Sequence, residues 1–265
     1  MTTTPLTRMT HTKICVELAA PQARIKLNNP PLNVIDNPMM DELNEALVEI
    51  EQRSDISIVV FAGSEKVFSA GVDVAAHTPE NVRDMLTRFH AVIRAIVASR
   101  KVTVAAVRGM CLGGGAELAM VCDLVYTSDG ATWQFPEIKL ACFPPVAAVA
   151  LSALIGQKRA AELVLTGRSL KGPEAAAIGL ANGVTADDDL ESLVEQTVHR
   201  LEQLSPAALA VTKKAFYAWD AIHFDKGLAK AEQVYFDELM KTEDAVEGIQ
   251  AFLEKRKPVW KGKQA

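Results

Sequence analysis

Four cysteines in 265 residues, Cys15, Cys111, Cys122 and Cys142, form no CxxC pair and stand apart from the five histidines. That spacing speaks against a disulfide framework and a thiolate zinc site, and it implies a reducing, cytoplasmic setting. Positive charge is also scarce: 28 Lys plus Arg against 33 Asp plus Glu leave a net charge of −5. Such a balance lacks the broad positive field that draws a phosphate backbone, so no nucleic-acid partner is expected. Long apolar runs are missing too. The longest, Phe143 to Ile155, is broken by Pro144, Pro145 and Ser152, whereas a bilayer span takes about 20 apolar residues. The opening MTTTPLTRMTHTK has threonines where a signal peptide needs an apolar core. A soluble protein with no membrane partner is therefore expected.

What is present is ample core material, 49% hydrophobic residues, enough for one large domain or a domain with an extension. Cys15 to Leu27 alternates like a strand and is stopped by Asn28-Asn29-Pro30-Pro31. Asn37-Pro38 reads as the start of a helix whose Met40, Leu43, Leu47 and Ile50 share one face. Ile56 to Ala62 and Val102 to Val107 read as buried strands, with a helix opening at Thr78-Pro79 between them. Short apolar strands alternating with amphipathic helices predict an α/β fold with both sheet faces covered. From about Leu190 the chain reads as consecutive helices, over Ala208 to Trp219, Leu228 to Met240 and Ala245 to Leu253. These complete the core or form a surface between subunits; the pattern allows both.

The glycines of CLGGGAELAM, Cys111 to Met120, lie between a strand and a helix. They fit neither a phosphate-binding Walker loop, which needs Lys and Ser or Thr after the last glycine, nor a dinucleotide fingerprint, which needs glycine where Leu118 stands. They do offer backbone N–H groups at a helix start, where negative charge is favoured. Glu117 in that first turn is either a dipole-complementing carboxylate or a functional one. Glu137, amid Trp133, Phe135 and Pro136, is either a surface acid or its partner. Phe68 to Val74, FSAGVDV, is either a plain turn or backbone on which a ligand lies. Taken together, two N–H donors from separate loops and two carboxylates make an oxyanion hole with acid and base beside it. That is equipment for chemistry at the α and β carbons of a thioester.

Five segments, SEKVFSAGVDV at 64–74, GMCLGGGAELAMVCDLVY at 109–126, FPEIKL at 135–140, LVLTGRSLKGPEAAAIGLANGV at 163–184 and GIQAFLEKRKP at 248–258, resemble the crotonase, or enoyl-CoA hydratase/isomerase, family. The resemblance implies a spiral of ββα units with its active site over residues 1–200. It also implies a C-terminal helical region, 201–265, that builds a homotrimer or a dimer of trimers. CoA thioesters are the implied ligands; no metal or permanently bound cofactor is implied, coenzyme A entering as part of the substrate. Carried onto this chain, Val72 and Gly114 would give backbone N–H groups to the thioester oxygen, while Glu117 and Glu137 occupy the positions of the catalytic glutamates. Pro31, Leu32, Ala70, Gly71 and Asp73 fall where CoA is contacted, and Lys255 falls in a basic stretch that approaches its phosphates or is a solvated tail.

Retention of both glutamates favours hydration of an α,β-unsaturated acyl-CoA over the family's isomerases, thioesterases, carbon–carbon lyases and RNA-binding relatives. One departure stands out. Where hydratases run into a glycine-rich turn after the second glutamate, this chain has Phe143-Pro144-Pro145. With Trp133 and Phe135 it would form a stiff apolar wall for a ring, or these aromatics are plain core. GVDVAAHTPENV and the Phe-Pro-Pro segment resemble cyclohexa-1,5-diene-1-carbonyl-CoA hydratases. His90, in an apolar helical pattern, reads as packed, and His77 as a loop or capping residue.

Overall fold

The computed structural model describes residues 7–9 and 11–262, so most of the threonine-rich start lies outside the described residues. A short β1 (Thr7–Met9) is followed by β2 (Ile14–Ala19) and β3 (Gln22–Leu27). The single strand expected over 15–27 is thus a hairpin, broken at Ala20-Pro21, because proline has no N–H for a ladder. Helix α1 (Asn37–Gln52) is capped one residue earlier than expected: the Asp36 carboxylate accepts from Met39 N.

Then a repeating unit takes over. β4 (Ile58–Ala62) leads into β5 (Val67–Ser69) and α2 (Val82–Ala98). β6 (Val102–Val107) leads into β7 (Met110–Leu112) and α3 (Gly114–Met120), and β8 (Leu124–Ser128) into β9 (Thr132–Gln134). The first strand of each pair joins one sheet and the second joins another. The seven-stranded sheet runs β1-β2-β3-β4-β6-β8 and ends on a later strand, β6 lying parallel between β4 and β8. This is the ββα spiral that the sequence implied. The helix expected to open at Thr78-Pro79 begins later, α2 starting at Val82, and a 3-10 turn, Val74–His77, ends just before Thr78.

The rest of the chain closes the spiral. α4 (Pro145–Ile155) and α5 (Gln157–Thr166) precede β10 (Ser169–Lys171), which pairs antiparallel with β9, and α6 (Gly172–Ala177) precedes β11 (Gly183–Thr185), the last strand of the large sheet. α7 (Leu190–Glu202), α8 (Pro206–Asp237) and α9 (Glu243–Leu253) finish the fold. The two helices expected over 208–240 are one continuous α8. Leu228 and Tyr235 of α8 and Ile249 of α9 belong to the main buried core rather than to a separate one.

One buried ion pair ties α8 to the sheet. Lys213 Nζ donates to Asp123 Oδ2 at 2.7 Å and to the Lys101 carbonyl at 2.9 Å, while the same carboxylate oxygen accepts from Thr103 N and Oγ1. Both side chains are largely withdrawn from water, so removing one charge strands the other. Lys213→Met is expected to cost about 3–5 kcal/mol, read as a lower urea midpoint with an unchanged slope.

Candidate active site

The parallel pairing of β5 with β7, with Ser69 opposite Cys111, sets the two strands' carboxyl ends side by side. The loop Ala70–Val72 therefore lies against the turn Gly113–Gly114. Backbone donors in this loop are almost all spoken for. Ala70 N donates to the Leu32 carbonyl, Gly71 N to Ser69 Oγ and Asp73 N to the Ile35 carbonyl. Val72 N is left without a protein acceptor among the described residues. On the facing turn, Gly113 N donates to the Gln134 carbonyl, and Gly114 opens α3, where the first amides have no intrahelical partner. A Cβ built on Gly114 would stand 3.4 Å from Val72 N and 2.5 Å from Val72 Cγ2. Glycine at 114 thus keeps open a gap flanked by two free N–H groups, the geometry of an oxyanion hole.

Glu117 is 3% exposed. Its Oε1 accepts from Val146 N at 2.8 Å and Ala147 N at 2.9 Å, the first amides of α4 after Pro145, which has no N–H to offer. One carboxylate therefore caps a helix from another element. Burial pushes its pKa up to about 7, against the lowering effect of those two amides. Glu137 begins a 3-10 turn, Glu137–Leu140, and its Oε2 is sealed from solvent with no hydrogen-bond partner. Burial, and then the Glu117 charge, hold its carboxyl well above the usual range. The absent side chain at Gly113 makes room for it, since a Cβ there would lie 2.5 Å from Glu137 Oε1. Of the two carboxyls that share this cavity, Glu117 therefore ionises first, through about pH 7, while Glu137 keeps its proton to higher pH, the ordering that base and acid roles require.

Both glutamates, Ala70, Gly71, Val72, Gly114, Phe143 and Pro144 line this one cavity. Trp133 and Phe135, expected as candidates for its wall, do not. Both are fully buried, and Trp133 Nε1 donates to Thr127 Oγ1 at 3.0 Å behind the small sheet, so they are core. Trp133 in β9 and Phe135 just after it both point into the core, away from the cavity. Pro31 is exposed and Leu32 is 41% exposed, and the Leu32 carbonyl ties their loop to Ala70. Asp73 caps the Val74–His77 turn through Ala75 N. Lys255 is exposed after α9, beside Arg256, which pairs with Glu247 and Glu254.

Several cavity residues escaped the sequence reading in this role, His77, Cys142 and Tyr235 among them. His77 lines it, Nδ1 lying 3.0 Å from the Asp73 carbonyl, with burial holding its pKa down. Tyr235 reaches it from α8, and its local sequence looks like any helical core position.

The family model for enoyl-CoA hydratase/isomerase matches residues 19–263. The chain belongs to that family. A Mycobacterium bovis protein named "Probable enoyl-CoA hydratase" is 36% identical over 253 residues, covering 94% of this chain and 98% of its own. The cyclohexa-1,5-dienecarbonyl-CoA hydratase of Thauera aromatica is 32% identical over 251 residues, covering 95% and 97%. An enoyl-CoA hydratase structure from Mycobacterium avium subsp. paratuberculosis superposes with a TM-score of 0.86 at 26% identity, covering 95% of this chain and 99% of that one. The resemblance read from the five sequence segments is therefore borne out for family and fold.

The raised carboxyls fix a pH dependence. With Glu117 as base and Glu137 as acid, kcat/KM would rise through about pH 7 as Glu117 ionises and fall only where Glu137 ionises, at higher pH. Stability runs the other way for Glu117. Its folded pKa lies above the ordinary 4.5, so its favourable contribution is complete below that value and is lost as pH rises through about 7. Glu117→Gln should therefore gain stability relative to the unaltered protein between about pH 5 and about pH 8, measured by urea titration.

Proposed function

We propose that the protein adds water across the α,β double bond of an acyl-CoA thioester, and that a cyclic dienoyl-CoA is its preferred substrate. The protein is an enzyme of the enoyl-CoA hydratase type, a hydro-lyase. The observation that carries the reaction is the joining, in one cavity, of two unclaimed amides with two buried carboxyls, of which Glu117 ionises before Glu137.

In this reading Val72 N and Gly114 N donate to the thioester oxygen and hold the negative charge that develops there as the enolate forms. Glu117 takes a proton from the attacking water, whose oxygen bonds to the β carbon, and Glu137 gives its proton to the α carbon. Water's two hydrogens are then accounted for, one in the new hydroxyl and one on Glu117. The carboxyl pair holds one proton before and after turnover, and its return from Glu117 to Glu137 resets the site. Coenzyme A arrives with the substrate. Ala70, Gly71 and Asp73, the Pro31-Leu32 loop and Lys255 are its proposed contacts.

Two observations support the cyclic acyl group. Phe143, Pro144 and Pro145 line the cavity at the start of α4, a wall with little conformational freedom. A full-length relative carries the name cyclohexa-1,5-dienecarbonyl-CoA hydratase. A homotrimer or dimer of trimers in the cytoplasm completes the proposal. Phe252, Leu253, Val259 and Trp260, all about half exposed or more, are apolar side chains such an assembly would cover.

The test offers crotonyl-CoA and cyclohexa-1,5-diene-1-carbonyl-CoA in parallel, in isotopically labelled water, with mass-spectrometric detection of the adduct. Label in the cyclic product, at the higher kcat/KM, supports the whole reading. Faster labelling of crotonyl-CoA keeps the hydratase and overturns the cyclic preference. Labelling of neither overturns both.

A further inference from the structure

Tyr235 is 1% exposed and stands in the wall of the cavity that holds Glu117 and Glu137. Its ring is fixed edge-on against Phe143, with centroids 5.1 Å apart at 60°, and packs against Phe236 at 6.0 Å. Its hydroxyl is sealed from solvent, no oxygen or nitrogen of the protein accepts from it, and its polar neighbour is the Cys142 thiol. The thiol beside it, Cys142, directs its own proton to the Leu140 carbonyl at 3.5 Å and is a weak acceptor. Burial first, then the neighbouring Cys142, Glu137 and Glu117, push the phenol's pKa well up, so it remains a neutral O–H donor throughout the working range.

A buried hydroxyl with only a thiol to accept its proton is poorly satisfied, and buried hydroxyls are almost always well paired. Glu137 Oε2 is a sealed and unpartnered polar atom of the same cavity. Tyr235 and Glu137 line one cavity, so a hydroxyl donor and a carboxyl oxygen, neither well satisfied by the protein, are both available to a small polar guest there. An all-carbon acyl chain satisfies neither, whereas an oxygen atom satisfies both.

Resting on the hydratase reading above, we propose that Tyr235 is a third substrate-facing polar residue. Its hydroxyl donates a hydrogen bond to the oxygen that water brings to the β carbon, holding the nucleophile before addition and the product hydroxyl after it. The residue is aimed by its own helix. Three positions earlier, Glu232 accepts from His90 Nδ1 at 2.6 Å and from Arg94 Nη2 at 3.1 Å, both on α2, and His90 is fully buried. Glu232 is thus a positioning residue for Tyr235.

The test compares ligand affinities in Tyr235→Phe, which keeps the ring contacts and removes only the hydroxyl. Binding of 3-hydroxybutyryl-CoA should weaken about 10-fold and kcat for crotonyl-CoA hydration should fall about 10-fold, the worth of one well-made hydrogen bond. The dissociation constant of crotonyl-CoA, taken from rapid binding before turnover, should stay within about 2-fold. Glu232→Gln should show the same one-sided loss, and adding it to Tyr235→Phe should cost little more, because both act through one group. Equal weakening of both ligands, or no change in either with kcat intact, would overturn the proposal. If the unaltered protein hydrates neither test ester, the hydratase reading itself has failed, a result separable from either of those.

Discussion

Glu137→Gln lowers kcat by about 100-fold to 10,000-fold, the usual worth of a positioned general acid, and leaves KM for the CoA ester nearly unchanged. The side chain keeps its volume, so the space opened by Gly113 stays filled. What disappears is a transferable proton. The amide cannot protonate the α carbon, and the enolate returns to substrate. Because the carboxyl is sealed and carries no hydrogen bond at Oε2, its loss removes no structural contact there, and the thermal midpoint should hold or rise. Glu117→Gln should lose activity to a similar degree for the opposite reason, the missing base, while its remaining carbonyl oxygen can still accept from Val146 N and Ala147 N. Stopped-flow turnover together with CoA-ester binding separates these effects. Wild-type turnover in either variant would remove that glutamate from the mechanism.

Gly114→Ala should reduce kcat/KM at least about 100-fold, the lower end of what one oxyanion donor is worth. The added methyl would press on Val72 Cγ2 at 2.5 Å and stand 3.4 Å from Val72 N, filling the gap meant for the thioester oxygen. Overpacking of this kind also costs about 1–3 kcal/mol of stability. The two consequences can be parted. Adding Val72→Ala removes the Cγ2 contact and should restore stability, yet the backbone N–H remains screened by the new methyl, so activity stays low. Recovery of activity in the double variant would show that the site had failed through misfolding and not through loss of the hole.

The sequence carried the strands β4 and β6 and the helix α1 nearly to the residue, because each presents a strong local period: five adjacent buried positions in β4, one apolar face in α1. Its motifs also pointed to Glu117, Glu137, Val72 and Gly114, which the fold brings to one cavity. The short strands β5, β7 and β9 were not legible. Each is three residues long and owes its existence to pairing across the small sheet. The sequence leaves Trp133 and Phe135 open between wall and core, since the pairing of β9 with β7 decides which way Trp133 faces, and Phe135 follows directly after that strand. Tyr235 gave no signal at all. Its role comes from where a long helix crosses the molecule, information that no window around residue 235 contains. The charged state of the glutamates was equally hidden, because local sequence shows neither the burial of a carboxyl nor the arrival of α4 amides at Glu117.

The contacts that seat α8 join residues 90, 112 and 142 positions apart along the chain. Synthesis from the amino end therefore delivers the oxyanion loops and both carboxyls well before the helix that roofs them. A messenger stopped short of α8 would yield a product with both carboxyls and both loops in hand but without Tyr235, and so with one wall of the cavity missing.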